Sequence, residues 1–97
     1  ASRIKHFAIP TQVYYHDDPQ GRHTIIEILA TDQPGLLSKV GQAFTRHGIR
    51  LLNAKVSTIG SRAEDVFYIT DREDQPLSTD SAREALRKSL VELVGSK

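Results

Sequence analysis

The chain has 97 residues, enough for a single domain with one modest core. Thirteen Lys and Arg against twelve Asp and Glu leave a net charge of +1, which lacks the basic excess of a nucleic-acid module. The absence of cysteine excludes a disulfide framework, a thiolate nucleophile and any Cys-ligated metal. No apolar run approaches the roughly 20 residues of a membrane-spanning helix, and no signal-like segment opens the chain, so a cytoplasmic location with no membrane partner is expected. Methionine is missing throughout, position 1 included, which suits a domain cut from a longer polypeptide.

In chain order, Gln12–His16 reads as a strand, followed by the turn cluster Asp17-Asp18-Pro19-Gln20-Gly21. The β-branched run Thr24–Ala30 is expected as a strand buried on most of both faces, paired with the first as a hairpin. From Gly35 to His47, Leu36, Leu37, Val40, Ala43 and Phe44 recur at helical spacing, and Gly48 suits a left-handed stop. Ile49–Ile59 and Ala63–Thr70 flank Gly60-Ser61, the chemistry of a type II′ hairpin turn. That turn pairs Val56 with Asp65, Ala54 with Phe67 and Leu52 with Ile69 on a face apolar enough for helices. The opposite face carries Asn53, Lys55, Ser57, Glu64, Val66 and Tyr68 and is half-polar. A second helix runs from Thr79 or Asp80, both suitable caps, to Val94, with Gly95 as its stop. Strand, strand, helix, strand, strand, helix implies an α+β, ferredoxin-like sandwich with two helices on one face of a four-stranded antiparallel sheet.

The most informative stretch is Asp32-Gln33-Pro34-Gly35-Leu36-Leu37, at the entry to the first helix. Asp32 is suited to cap that helix, Pro34 stiffens its first turn, and Gly35 lets a ligand approach the backbone. The free N–H groups of a first helical turn attract a carboxylate. A well-capped helix with no ligand is the plain alternative.

Other clusters offer less. His16, Asp17, Asp18 and His23 carry donors for a divalent ion, but Asp-rich turns are ordinarily only turns. Glu64 and Asp65 are neighbours on a strand, so they point to opposite faces and cannot share a substrate as general acid and base. Ser57 and Ser61 have no histidine placed beside them. No catalytic residue and no metal site is expected.

Asp32-x-Pro34-Gly35-Leu36-Leu37, Phe44, Gly48-Ile49, Asn53-Ala54 and the hairpin through Phe67 and Ile69 resemble the ACT domain, over about Thr24 to Val94. The resemblance implies a regulatory module that binds amino acids, commonly at seams between paired ACT units. It divides the chain into an N-terminal extension over 1–10 and an ACT domain over 11–95. A standard ACT domain ends in a further strand, which is missing here. The early strand is expected to fill that slot at the sheet edge.

Phe7-x-x-Pro10-Thr11-Gln12-Val13, Arg22-His23-Thr24, Ala54–Gly60 and Glu64–Phe67 are similar to the C-terminal segment of the bacterial bifunctional uridylyltransferase/uridylyl-removing family. That resemblance implies a glutamine-sensing domain without chemistry of its own, in a parent acting on the PII nitrogen-regulatory protein. No cofactor is expected in this chain, with magnesium in the parent. The implied ligand, glutamine or another small amino acid, lies against Asp32, Gln33, Gly35, Leu36 and Leu37, with Arg50 and Asn53 next. Asp32 would hold an ammonium, helix N–H groups or Arg50 a carboxylate, and Asn53 a side-chain amide. Arg50 paired with Asp71 and a merely solvated Asn53 are the competing readings. The expected partner is a second ACT unit, in cis or as a homo-oligomer. A dimerisation module with no ligand, built on Leu51, Val66 and Tyr68, is the alternative. An RNA-binding sheet is disfavoured because Ala63-Glu64-Asp65-Val66-Phe67-Tyr68 is acidic where such a strand is basic.

Overall fold

The computed structural model describes residues 9–95. All of the 1–10 extension except Ile9 and Pro10, and the end of the chain at Ser96 and Lys97, lie outside the described residues. Six elements follow one another: β1 (Gln12–Asp17), β2 (Thr24–Thr31), α1 (Leu36–Arg46), β3 (Arg50–Ile59), β4 (Arg62–Thr70) and α2 (Asp80–Gly95). The sheet order is β1-β2-β4-β3, with every neighbouring pair antiparallel. This is the α+β sandwich expected from the sequence, with the early strand at the sheet edge beside β2.

One face of the two inner strands makes the core. Thr24, Ile26, Ile28 and Ala30 of β2 are buried, as are Ala63, Asp65, Phe67 and Ile69 of β4. Leu36, Val40, Ala43 and Phe44 of α1 and Leu86, Leu90 and Val94 of α2 close over them. Phe44 meets Phe67 edge to face, centroids 5.5 Å apart. The far face of β2 is only half-buried, not closed as its apolar sequence suggests, because both helices lie on the same side.

Local chemistry sets the element ends. Gly48 has φ +65°, and Ile49 N–H donates to Phe44 C=O while Gly48 N–H donates to Thr45 C=O, a Schellman stop for α1. Thr79 caps α2 through its Oγ1, which accepts from Ala82 N–H at 3.2 Å. Gly60 has φ +62° and Ser61 does not share the positive sign, as a type II′ turn requires.

The hairpin register holds from Ile59 to Asn53, with Val56 opposite Asp65 and Ala54 opposite Phe67. An irregularity between Leu51 and Asn53 then breaks it. Leu51, not Leu52, faces Ile69, which moves Leu51 off the open face. Arg50 consequently faces Thr70, and its guanidinium pairs with Asp74 at 2.8 Å rather than with Asp71. Such an irregularity displaces the side chains on its far side from the turn, here Leu51 and Arg50, and no local sequence feature announces it.

The two sheet edges differ. β1 is clasped by α2: Tyr15 OH donates to Arg83 C=O at 2.9 Å, and Arg83 pairs with Asp17 at 2.7 Å. Burial pushes the Tyr15 phenol up, and the nearby Arg83 only partly offsets this. β3 is exposed along its whole length, including Leu52 and Val56, so the hairpin face expected to receive helices does so only on β4. Tyr15→Phe, which removes the bond to Arg83, is expected to cost about 0.5–1.5 kcal/mol, read by urea unfolding.

Candidate functional site

Pro34 sets the chain direction at the end of β2. Gln33-Pro34-Gly35-Leu36 forms a turn closed by Leu36 N–H donating to Gln33 C=O at 3.3 Å. Gly35 sits at φ +76°, ψ 12°, the third position of a type II turn, with proline in the second. Gly35 is also the N-cap of α1, and no side chain caps the helix. Asp32 therefore does not cap it. The turn puts Asp32 three residues before the N-cap Gly35, and its backbone N–H donates to Ser61 C=O at 2.8 Å.

The uncapped helix start faces a cleft of about 270 Å³ between α1 and the β3–β4 hairpin. Asp32, Gln33, Gly35, Leu36, Leu37 and Ser38 line one wall, and Val56, Thr58, Ala63 and Asp65 line the other. Five of the seven residues singled out from the sequence thus meet at one place. Arg50 and Asn53 do not line the cleft. Arg50 is held by Asp74, and Asn53 Oδ1 accepts from Ala54 N–H. Within the cleft, Gln33 is a brace. It donates from Nε2 to Thr31 C=O at 3.0 Å and accepts from Lys39 Nζ at 2.8 Å, tying β2 to α1.

Asp65 carries no expected role from the sequence beyond its excluded pairing with Glu64. The alternation of β4 does separate the two: Glu64 lies on the open face and Asp65 on the helix side. There Asp65 is 2% exposed, and its Oδ1 accepts a single bond, from Ser57 N–H at 3.3 Å. Burial raises its carboxyl above the usual carboxylate range; the Ser57 N–H pulls it back, and the Asp32 charge raises it further. The signal available in the sequence was an acid at the inward phase of an otherwise apolar strand.

Two apolar side chains of the cleft wall stand in solvent. Leu37 is 50% and Val56 55% exposed, and β3 beside them is an unpaired edge. Elsewhere, the acidic turn forms local contacts. Asp18 accepts from Arg22 N–H, the main cause of its lowered carboxyl, and lies 3.5 Å from His23. Asp17 is paired with Arg83, and no metal-type cluster of three occurs among the described residues.

Two predictions follow from the turn and from Asp65. Gly35→Ala meets no neighbour, yet it places a Cβ in left-handed backbone and is expected to cost about 1–2 kcal/mol in urea unfolding. The folded state binds the Asp65 proton more tightly than the unfolded state does. Stability should therefore fall as pH rises from the ordinary carboxylate value through the raised one, and Asp65→Asn should flatten that slope in melts across pH.

The sequence pattern of the ACT domain matches residues 24–90. The chain is 64% identical over 95 residues to the bifunctional uridylyltransferase/uridylyl-removing enzyme of Methylococcus capsulatus, covering 98% of this chain and 11% of that protein. It is 46% identical over 89 residues to the enzyme of the same name from Stutzerimonas stutzeri, covering 92% of this chain and 10% of that protein. The counterpart from Pseudomonas syringae pv. tomato is 45% identical over 89 residues, with the same two coverages of 92% and 10%. The chain thus spans about a tenth of the length of the curated relatives it matches. With the family pattern running from the start of β2 into α2, through the type II turn that launches α1, the chain belongs to the ACT-domain family.

Proposed function

We propose that this chain is the glutamine-sensing regulatory domain of an enzyme that attaches uridylyl groups to the PII protein and removes them. It carries no chemistry of its own. Residues 11–95 are the sensing unit, and residues 1–10 an extension before it, in a cytoplasmic protein. The observation that carries this reading is the cleft at the Asp32–Leu37 turn, where an uncapped helix start and a carboxylate lie within reach of one small molecule. Its volume, about 270 Å³, is at the small end of ligand sites, which suits an amino acid. The first-turn N–H groups, including those of Leu37 and Ser38, take the ligand carboxylate, and Asp32 takes its ammonium.

The cleft opens at the bare β3 edge, so a second ACT unit docking there would turn it into a seam. The exposed Leu37, Leu52 and Val56 favour such a partner, in cis or as a second copy. A ligand that prefers one arrangement of the pair then biases the enzyme between its two activities, by no more than its difference in affinity for the two states. Pairing through β3 without any ligand is the second reading, favoured by that same edge.

Isothermal titration separates the two. Saturable heat with glutamine, weaker heat with glutamate and serine, and loss of both in Asp32→Ala would establish sensing. The titration should be run on this chain and on a longer polypeptide that includes a second ACT unit. Silence in both leaves the pairing module. For the edge itself, Leu52→Lys is expected to reduce self-association in sedimentation velocity while leaving the melting temperature nearly unchanged.

A further inference from the structure

Asp65 is a costly residue that the fold does not use. It stands on an inner strand between Ala63 and Phe67, opposite Ile28 on β2 and Val56 on β3. A carboxylate offers about four lone-pair sites, and here one long bond from Ser57 N–H is the only hydrogen bond it receives among the described residues. Among the described residues no cation is paired with it. The charged group that bears on it is Asp32, of the same sign. A well-packed apolar residue would serve the core better, since a buried carboxylate without good partners is penalised. Yet Asp65 also lines the cleft, so the acceptor capacity the fold leaves unused faces the space a ligand would enter.

Besides the hydroxyl residues Ser38 and Thr58 and the engaged Gln33, the cleft carries first-turn N–H donors, the exposed Asp32 and the buried Asp65. The N–H donors and Asp32 are matched to the carboxylate and ammonium that every amino acid has. Asp65 is the buried acceptor left to read a side chain. We propose that Asp65 sets the specificity of this cleft, admitting an amino acid whose side chain ends in an N–H donor such as a carboxamide and rejecting one that ends in a carboxylate. This rests on the reading of the cleft as an amino-acid site. A carboxamide N–H donated to a buried carboxylate is a charge-assisted bond. A ligand carboxylate in the same place meets the like charge of the buried Asp65. A site whose buried polar group goes unpaired with the wrong ligand discriminates far more strongly than a difference in shape alone.

The test is titration of the intact protein with glutamine and glutamate at about pH 8, comparing the unmodified chain with Asp65→Asn. The Asn side chain is isosteric and neutral, and its amide can donate to a carboxylate. The expected result is a fall of at least about tenfold in the glutamine-to-glutamate affinity ratio, with glutamate binding gained outright. A thermal melt checks that the variant folds, and Asp65→Ser supplies the same comparison should it not. An unchanged ratio in a folded variant would overturn the specificity role and leave amino-acid binding standing. An equal loss of both ligands in a folded variant would do the same. If the unmodified protein bound neither ligand, both readings would fall together.

Discussion

The left-handed backbone at Gly35 is the constraint on which the functional half of the molecule depends. A type II turn with proline second and glycine third delivers the chain from β2 into α1 within four residues. Because glycine itself is the N-cap, no side chain covers the first-turn N–H groups. The usual solution at this position, a Ser, Thr, Asp or Asn cap, would satisfy one of those donors and partly close the site. Here no side chain caps the N–H groups of Leu37 and Ser38, and the turn holds Asp32 beside them. Gln33 keeps this geometry rigid by bonding both to the end of β2 and to Lys39 on α1.

The sheet has two unlike edges, and this asymmetry places the site. At one edge β1 is paired along Gln12–Asp17 and fastened to α2 through Tyr15, Asp17 and Arg83. At the other, β3 extends for ten residues with no helix over it. Natural proteins blunt such edges or cover them. β3 does carry an irregularity near Leu52 and a lysine at 55, but Val56 and Ile59 remain more than half exposed. The cleft sits where the bare edge meets the uncapped helix. Pairing and ligand binding would then share one surface, which is what a switch requires.

The acid at position 65 shows how function and stability compete on the same strand. An inner strand position between Ala63 and Phe67 rewards an apolar side chain, and burial holds the Asp65 carboxyl above its ordinary range. Strain or unpaired polarity of this sort persists where a site depends on it. The alternation that keeps Asp65 from working with Glu64 is also what turns it inward to the cleft wall. The same two-residue period thus excludes one chemistry and creates the setting for another.

Much of this was determined by the sequence alone. Helical and strand periodicity, the Schellman glycine at 48 and the Gly60-Ser61 turn are local, so all six elements, the two hairpins and the register of the second down to Asn53 were legible in it. The Asp-x-Pro-Gly stretch was legible too, because proline and glycine dictate their own dihedrals. Its cap was not, since Asp32 and Gly35 both suit that role and only the path of the chain chooses between them. The tertiary structure alone decided the irregularity at Leu52, the partner of Arg50 and the distance of Arg50 and Asn53 from the cleft. It also decided that the helices cover β2 and β4 but leave β3 bare. Each of these depends on where a helix lies over a strand, a relation between residues far apart in the chain, and no pattern of neighbours encodes it.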